Sequence, residues 1–416
     1  MGATLLKGEG LVASFDLGTS KVVPTIAEVD TVGAAKIIGV GTGFHRGLHR
    51  GEIVDPEAVA KAVMEAAIRA ERMAQVAMPP VVVGIPGCFC SSFTARGAAA
   101  IKRPGHRVQA ADVERALDAA AAMAIPPGRR IIHRLIHTYL LDGQRIAESP
   151  IGLSGRRLEV DVHFITAPLS VLTELANCLG QAGVRVDGVA VQCLATARMV
   201  LAPSQRELGV VLVDLGAGQT DIVVFRNGQL DTMACLPVGT DNLARDLSAG
   251  LGIAREQAEQ LVWGVGCPAS LKAAPGVGSV EDSPTKDLLK NLQVEFQEYN
   301  RVFMARAEEI WQLVQSHISK EDSGGILSGG VRLVGGGALV PGMAALGAEL
   351  LGMPVDVSLP EELRSLPEVC QSPAYAAAVA LTAERAKTLI ELQAGSTSKS
   401  ASLNVLWQKV RSWLRY

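Results

Sequence analysis

Three glycine-rich turns, each directly following a short apolar strand, constrain the fold of this chain more than any other feature. They are Phe15-Asp16-Leu17-Gly18-Thr19-Ser20-Lys21, Val213-Asp214-Leu215-Gly216-Ala217-Gly218-Gln219-Thr220-Asp221 and Leu333-Val334-Gly335-Gly336-Gly337-Ala338. Because glycine has no Cβ, the backbone of such a turn can approach a polyphosphate and direct its N–H groups toward it. One such turn alone is usually structural. All three in this order and spacing are a much more specific signal.

An aspartate ends the strand in the first two turns, at Asp16 and Asp214. A carboxylate in direct contact with phosphate would repel it, but it can hold Mg²⁺ through water molecules, and the ion then bridges to the phosphate oxygens. Two such hairpins facing each other would clamp a phosphate chain from both sides. We therefore predict a magnesium-dependent polyphosphate site between two strand-turn-strand units.

Strand-like and helix-like runs alternate through most of the 416 residues, which is typical of an α/β protein with more than one domain. The pattern predicts strands over Leu11–Phe15, Val81–Ile85, Leu208–Asp214, Ile222–Phe225 and Val331–Val334. It predicts helices over Pro56–Met73, Asp112–Ala124, Arg255–Val262, Leu292–Ser316 and Pro373–Glu391. The dipeptide Asn227-Gly228 predicts a hairpin turn.

Composition and charge exclude several classes of function. Apolar residues make up 48% of the chain but are dispersed, and no run of roughly 18 apolar residues predicts a membrane-spanning helix. The first ten residues lack the pattern of a signal peptide. A net charge of -3 gives no reason to expect nucleic acid as a partner. The seven cysteines form no CxxC pair, which favours a reducing cytoplasm, and Cys88 and Cys90 are expected on one face of a strand.

The order of the two aspartate hairpins and the later glycine-rich loop resembles the actin, Hsp70 and sugar-kinase superfamily. Within it, the middle of the chain resembles the FtsA family of bacterial division proteins. The segments that carry this resemblance are Gly84–Gly87, Ile131–His133, Asp142–Gln144, Pro150–Val160, His163–Thr166, Leu236–Asp241, Ala258-Glu259 and Pro373–Ala376. The Pro150–Val160 run is the most specific of them. The resemblance covers nearly all of residues 10–390 and the terminal segment.

The resemblance implies an α/β, actin-like (ribonuclease H-like) fold of two lobes and four subdomains, in which an inserted subdomain 1C takes the place of actin's 1B. It assigns residues 1–83 and 167–205 to subdomain 1A, 84–166 to 1C, 206–240 and 330–392 to 2A, and 241–329 to 2B. A flexible linker over 393–402 and a terminal amphipathic helix over 403–416 would follow.

The same resemblance implies ATP and Mg²⁺ as cofactors. Asp16 and Asp214 would organise the metal through water. The nucleotide would be held by Asp16, Gly18, Thr19, Ser20, Lys21, Asp214, Gly216, Ala217, Gly218, Gln219, Thr220, Gly239, Glu259, Gly335, Gly336, Gly337 and Ala338. Gln192 would position an attacking water, or would instead be a buried amide that caps a helix. Glu259 would reach the ribose or adenine, or would instead lie on a solvated helix face.

Several positions depart from the family pattern. Val262 stands where a lysine often contacts the base, Ala217 and Gln219 replace the usual glycine and threonine, Val334 replaces a small hydroxyl residue, and Ala380 replaces a helix-packing glycine. These departures leave the two aspartates intact. They imply ATP binding with at most slow hydrolysis, rather than the activity of a metabolic enzyme.

His133 and His137 are spaced like a zinc-binding pair, but the glutamate of the HExxH motif is missing. The segment also falls where the family has a strand, so the two rings would share a face without the convergence that a helix provides. We expect no metal there.

The last fourteen residues form an isolated amphipathic segment behind a small, polar linker, Ala394–Ser402. Its apolar stripe and its basic residues are Leu403, Leu406, Trp407, Val410, Trp413 and Leu414, with Lys409, Arg411 and Arg415 on the other side. Such a stripe usually packs on the protein's own core. The linker, the terminal position and the pairing of tryptophan with basic residues favour a helix that lies in an anionic membrane surface.

For the whole chain, the resemblance implies a filament-forming, ATP-binding actin homologue that anchors the tubulin-like protein FtsZ to the cytoplasmic face of the inner membrane at the division septum. The implied partners are FtsZ, further copies of the chain through 1C, anionic lipids and other division proteins. The alternatives are an actin homologue of pilus assembly, which would lack the Pro150–Val160 run and the terminal helix, and a small-molecule kinase of the same fold.

Overall fold

The structure is a computed structural model that describes residues 10–31, 33–49, 51–122, 125–267, 284–320, 327–359, 366 and 368–393. The predicted terminal helix over 403–416 lies outside the described residues, as does the predicted linker beyond Gln393. Within the described part, no helix is both long enough and apolar enough to cross a bilayer.

The strands are β1 Leu11–Leu17, β2 Lys21–Val29, β3 Ala35–Val40, β4 Gly43–Phe44, β5 Leu48–His49, β6 Glu52–Ile53, β7 Val81–Ile85, β8 Ser91–Ala100, β9 Arg129–Leu141, β10 Gln144–Ile146, β11 Arg157–Pro168, β12 Val186–Val191, β13 Val210–Leu215, β14 Thr220–Arg226, β15 Gln229–Leu236, β16 Val331–Val334 and β17 Val355–Val357. The helices are α1 Pro56–Ala74, α2 Ala110–Ala122, α3 Leu169–Gln181, α4 Gln192–Val200, α5 Pro203–Leu208, α6 Thr240–Leu251, α7 Arg255–Gly264, α8 Pro284–Asn291, α9 Phe296–Lys320, α10 Met343–Leu351 and α11 Ala376–Gln393.

Two sheets have the same strand topology. The first has the order β12-β7-β1-β2-β3, with β4 also paired to β2, and the second has the order β15-β14-β13-β16-β17. In each sheet the first three strands in sequence are antiparallel neighbours, and the next two strands add in parallel on the other side of the first. This duplicated arrangement confirms the two-lobed, ribonuclease H-like α/β fold.

A third sheet, β10-β9-β11-β8, is built from the chain between β7 and β12 of the first lobe. Strand β11 pairs with both β8 and β9 over most of its length. Helix α2 packs on this sheet and shares a hydrophobic core with it that includes Leu117, Leu158 and Phe164. The insertion is therefore a unit with a core of its own, at the place in the chain where a 1C subdomain was predicted.

The tightest contact in this unit is where α2 crosses β8. A Cβ at Gly97 would overlap the carbonyl oxygen of Ala116 and crowd Ala120 on α2. We expect Gly97→Ala to separate helix and sheet and to destabilise the protein by about 1–3 kcal/mol, as overpacking does. Chemical denaturation measures this. The matched control is Gly180→Ala on α3, where a Cβ meets open space and alanine should raise stability by roughly 0.5–1 kcal/mol.

Local signals explain why α1 begins where it does. Asp55 accepts a hydrogen bond from the Ala58 amide at 3.0 Å, and Pro56 occupies the first helical position, where its missing N–H has no consequence. The predicted apolar face is buried at Val59, Val63 and the alanines that follow. The predicted helix is confirmed.

Two predicted boundaries were displaced and one local conformation was wrong. The helix expected over Leu292–Ser316 is present but begins only at Phe296, because Gln293 adopts a left-handed φ of 54° after α8 ends. Leu208 ends α5 instead of opening a strand, and Gly209, with φ of 82°, turns the chain into β13. Residues Gly87–Phe89 form a 3₁₀ turn, so Cys88 is exposed and Cys90 half-buried rather than sharing a strand face.

The core divides into two clusters. The first joins aliphatic residues of β1, β2, β7, α1, α3 and α11 to one face of the second sheet, at Val210, Leu212 and Val223. The second lies on the other face of that sheet, and α9 supplies it with the large aromatic residues Tyr299, Phe303 and Trp311. Between the lobes lies the cavity that the two glycine-rich hairpins border. The hairpin between β14 and β15 turns at Asn227-Gly228, both with positive φ, as predicted.

Candidate functional site

A cavity of about 360 Å³ opens between the lobes and is bordered by both aspartate hairpins. Its lining residues are Asp16, Leu17, Gly18, Thr19, Ser20, Lys21, Gly51, Pro86, Gln192, Asp214, Gly216, Ala217, Gln219, Asp221, Thr240, Trp263, Gly335, Gly336, Leu339, Pro373, Ala374 and Ala377. Residues more than 300 positions apart in the chain therefore meet at one site. The two hairpins lie on the same cavity, as the sequence predicted.

The second hairpin is anchored to the start of α6. The amides of Thr240 and Asp241 donate to the carbonyl oxygens of Gly216 and Ala217, at 3.0 and 2.8 Å. Gly239 is needed for this approach, because a Cβ there would overlap the Ala217 carbonyl. Backbone hydrogen bonds therefore hold the turn in place.

The two turns also meet each other. A Cβ added to Gly218 in the second hairpin would come within 2.8 Å of the Thr19 side chain in the first. In the first hairpin the Gly18 amide donates to the Lys21 carbonyl at 3.0 Å, and in the second the Gly216 amide donates to the Gln219 carbonyl at 2.9 Å. Both turns are thus closed by the same kind of backbone hydrogen bond, from a glycine to the residue three positions later, and they face each other across the cavity.

Three carboxylates cluster here. Asp16 ends β1, and Asp214 lies directly opposite Asp221 across the antiparallel pair β13 and β14. Burial raises the pKa of Asp16 and of Asp221 to about 6, and burial together with the charges of Asp221 and Asp16 raises the pKa of Asp214 to about 8. The cavity therefore holds too little positive charge to keep these three carboxylates ionised at their usual pKa values.

The only cation lining this cavity among the described residues is Lys21. Its ammonium lies 4.0 Å above the centre of the Tyr375 ring. Burial lowers its pKa, although the charges of Asp16 and Asp214 oppose that shift. One ammonium facing three carboxylates leaves room for a further positive charge.

Gln192, the first residue of α4, is buried, and its amide nitrogen donates to the Asp16 carboxylate. Its side chain does not cap the helix, so the capping alternative is wrong in that respect. The amide holds Asp16 in a defined orientation at the cavity wall.

Two polar atoms at the rear of the site, Gln219 Oε1 and Asp221 Oδ1, have no hydrogen-bond partner among the described residues. Both are buried acceptors, and a hydrated cation is the kind of group that would satisfy them. Among the described residues, no three carboxylate, histidine or cysteine side chains are arranged to ligate one ion directly. The donor set therefore fits Mg²⁺ held through water, which keeps several of its own waters.

The third glycine-rich loop closes the other side. Gly335 has φ of 84°, and a Cβ there would overlap the Asp214 carboxylate. Gly335 and Gly336 line the cavity, whereas Gly337 packs on Leu215 and Ala338 is buried behind it. The loop is thus split between a cavity-facing half and a packing half.

Besides Gly218, Gly239, Gly337 and Ala338, two further predicted residues do not line the cavity: Thr220 and Glu259. Thr220 is buried, and its hydroxyl donates to the Val238 carbonyl at 2.7 Å, so its role is to hold the hairpin. Glu259 pairs with Arg255 at 3.1 Å and lines a neighbouring cavity, next to Val262. This neighbouring cavity shares Trp263 and residues of both hairpin turns with the aspartate cavity, so Glu259 lies beside the same cleft.

Sequence reasoning missed several lining residues. Asp221 could have been found, because a hairpin with a four-residue turn places it opposite Asp214. Trp263, 45% exposed on α7, and Leu339, 49% exposed, border the cavity through tertiary approach alone. No local pattern distinguishes them from ordinary surface residues.

His133 and His137 lie on β9, as expected. The Val191 amide donates to His133 Nε2 at 3.2 Å, and the His137 ring stacks on His163 with 5.6 Å between centroids. Burial lowers the pKa of His133 to about 3, so this ring is a neutral hydrogen-bond acceptor in the core.

Comparison with known proteins identifies the family. The family model "Cell division protein FtsA" matches residues 211–380, and the model "SHS2 domain inserted in FTSA" matches residues 88–166. The "Cell division protein FtsA" of Pseudomonas aeruginosa is 33% identical over 375 residues, which cover 89% of this chain and 88% of that protein. The protein of the same description from Escherichia coli K12 is 29% identical over 414 residues, 97% of each chain.

Solved structures agree on the fold. A structure titled "PilM-PilN type IV pilus biogenesis complex" aligns with a TM-score of 0.61 at 15% identity, covering 90% of this chain and 98% of that chain. The ethanolamine utilization protein EutJ from Carboxydothermus hydrogenoformans aligns with a TM-score of 0.50 at 16% identity, covering 89% of each. At these identities the likeness shows the fold alone. This chain belongs to the FtsA family of cell division proteins, with an actin-like α/β fold and an inserted SHS2 domain.

Proposed function

We propose that this division protein binds Mg²⁺-ATP between its lobes and anchors FtsZ to the cytoplasmic face of the cell membrane at the septum. The observation that carries the nucleotide part is the cluster of buried carboxylates, Asp16, Asp214 and Asp221, between two facing glycine hairpins. The Mg²⁺ ion of a bound nucleotide would supply the positive charge that this cluster lacks, and the backbone N–H groups of the turns would bind its phosphates.

Different residues would contact the metal ion and the phosphates. Asp16 and Asp214 would hold the metal through water, with Asp221 accepting from the same hydration shell. The backbone amides of the two hairpins, together with Lys21, would contact the phosphates. Bound Mg²⁺ neutralises charge on the phosphate oxygens.

The adenosine would lie on the second lobe. Gly335 and Gly336 leave room for it, and Trp263 with Leu339 offers exposed apolar surface at the same cavity. Glu259 lies at the adjoining cavity, beside Val262. Since Val262 has no charge to offer the base, selectivity for adenine would rest on shape and apolar contact.

Hydrolysis would be slow at most. The Gln192 amide, the candidate for positioning water, is already engaged with Asp16. Its remaining capacity is the amide oxygen and one N–H. This supports nucleotide binding as the main role of the cleft.

The boundaries of 1A, 1C, 2A and 2B given above remain proposals, as does self-association through 1C. Membrane attachment would come from residues 403–416, where each basic side chain near an anionic surface contributes about 1 kcal/mol. A single copy would bind weakly, and copies joined in a filament would bind firmly through effective concentration. FtsZ and other division proteins are the proposed partners.

Liposome co-sedimentation tests the anchoring role. Full-length protein and FtsZ are mixed with vesicles that contain anionic lipid, with and without ATP. FtsZ should pellet with the vesicles only when this protein is present. FtsZ that stays in the supernatant, while this protein itself pellets, would contradict the anchoring of FtsZ.

Gln192→Ala should shift the pH dependence of nucleotide binding. The hydrogen bond from Gln192 lowers the pKa of Asp16, which burial has raised to about 6. Losing it should raise that pKa by about one unit, so that Mg²⁺-ATP affinity falls most near pH 6–7 and recovers at higher pH. Affinity measured from pH 5.5 to 8.5 checks this. Gln181→Ala, on exposed α3, is the control, and an equal loss of affinity at every pH would contradict the prediction.

A further inference from the structure

Another cavity, open to solvent on one side, lies where the inserted sheet and the two lobes meet. It is a cavity of about 390 Å³ that shares no lining residue with the aspartate cavity. Strand β9 of the inserted sheet, helices α4 and α11 of the first lobe and the β14–β15 hairpin of the second lobe form its walls. A ligand here would touch every lobe.

The charged residues that line this cavity are mostly basic: Arg134, Arg198, Arg206 and Lys387, with Glu384 as the one carboxylate among the described lining residues. Two of the cations are already paired. Arg198 lies 2.9 Å from Glu384, and Arg134 lies 3.5 Å from both Glu114 and Asp118. Arg206 and Lys387 make no ion pair within the described part of the chain.

Arg206 is a half-buried cation in need of a counter-charge. Its guanidinium lies 5.6 Å from the centre of the Phe225 ring, and its Nε has no hydrogen-bond partner in the part of the chain that the structure describes. Burial and the like charge of Arg198 lower its pKa, and the nearby carboxylate of Glu207, which borders Gly228, opposes this only in part. The planar fork of guanidinium N–H groups suits the oxygens of a phosphate or carboxylate.

The rest of the wall suits a small organic anion. His137 Nε2 is buried without a partner, and burial lowers the pKa of this ring despite the charges of Asp161 and Asp231, so that it is neutral at pH 7 and can donate one hydrogen bond. Leu194 and Met199 on α4 supply apolar surface. The volume falls within the roughly 300–1,000 Å³ of small-molecule sites.

We infer that this cavity binds a small phosphate monoester, with Arg206 and Lys387 as its charged contacts. A phosphate monoester carries about −1.5 to −2 at pH 7, which matches the two cations that make no ion pair among the described residues. The fork of a guanidinium matches phosphate oxygens better than a point charge does. The inference does not depend on nucleotide binding in the other cavity.

Isothermal titration of the full chain with glycerol 3-phosphate tests it, with glycerol as the uncharged control and inorganic phosphate as the smaller anion. Glycerol 3-phosphate should bind, glycerol should not, and saturating Mg²⁺-ATP should leave the binding in place. Arg206→Gln combined with Lys387→Met should weaken binding about a hundredfold, roughly tenfold for each charged contact. Arg206→Lys should recover part of the loss.

The matched control is Lys61→Met, which removes an exposed lysine of α1 and should leave the affinity unchanged. Since Lys387 is exposed at the mouth of the cavity, Lys387→Met alone should keep the native melting temperature and still weaken binding about tenfold. Equal affinity in all variants would overturn the inference. So would complete competition by Mg²⁺-ATP, which would place the anion in the aspartate cavity, or absence of binding by both phosphate probes.

Discussion

Asp214→Asn is expected to raise the melting temperature of the nucleotide-free protein at pH 8 and to abolish its stabilisation by Mg²⁺-ATP. Burial and two neighbouring carboxylates raise the pKa of Asp214 from 3.8 to about 8. Between these values the folded state binds more protons than the unfolded state, so the free energy of unfolding falls as pH rises. Each unit is about 1.4 kcal/mol, and the neutral amide removes this cost.

The gain should be several degrees at pH 8 and should vanish below about pH 4, where Asp214 is protonated in both states. In the variant, the ammonium of Lys21 still has the carboxylate of Asp16 as a neighbouring opposite charge. The wild-type protein should gain about 2.7 kcal/mol with Mg²⁺-ATP at a hundred times its Kd, and the variant should gain nothing. Thermal melting across pH 4–8, with and without Mg²⁺-ATP, measures both effects.

Asp287→Asn on α8 is the matched control, because this aspartate is exposed. It should change neither the pH profile nor the effect of nucleotide. A variant at Asp214 that melts at a lower temperature than the wild type at pH 8 would contradict the unfavourable burial of the carboxylate. One that is still stabilised by Mg²⁺-ATP would contradict the role of Asp214 in the nucleotide site.

Removing residues 403–416 is expected to abolish pelleting with anionic vesicles. The segment supplies the tryptophans Trp407 and Trp413 on an apolar stripe and basic residues beside it. Half-buried apolar side chains contribute about 1–2 kcal/mol each, and the basic residues about 1 kcal/mol each. Vesicle pelleting of the truncated and full-length proteins, over a range of salt concentrations, measures the effect.

Single substitutions test the contact with the membrane without shortening the chain. Trp413→Gln should reduce pelleting strongly, whereas Gln408→Ala on the polar side should not. Full-length protein should pellet less at high salt, because screening weakens attraction to anionic lipid. Undiminished pelleting by the truncated protein would show that the segment packs on the protein's own surface instead of on lipid.

Interactions between residues that are adjacent in the chain determine one part of this structure, and contacts between distant segments determine the other. The two aspartate hairpins and α1 could be predicted because their determinants are adjacent in the chain: an apolar strand before a glycine turn, or Asp55 and Pro56 before a 3.6-residue apolar period. Where local signals were weak, prediction failed, as at Gln293 between α8 and α9.

The positions of strands, helices and turns could therefore be predicted from short-range patterns, whereas the family and its two-lobed fold were predicted from the resemblance of longer segments to FtsA. Only the tertiary structure decided that Asp221 joins Asp16 and Asp214 in one buried cluster, and that Arg206 and Lys387 line another cavity. Burial and electrostatic coupling depend on which distant segments approach each other. A carboxylate at the end of a strand acquires its raised pKa only when another lobe excludes water from it.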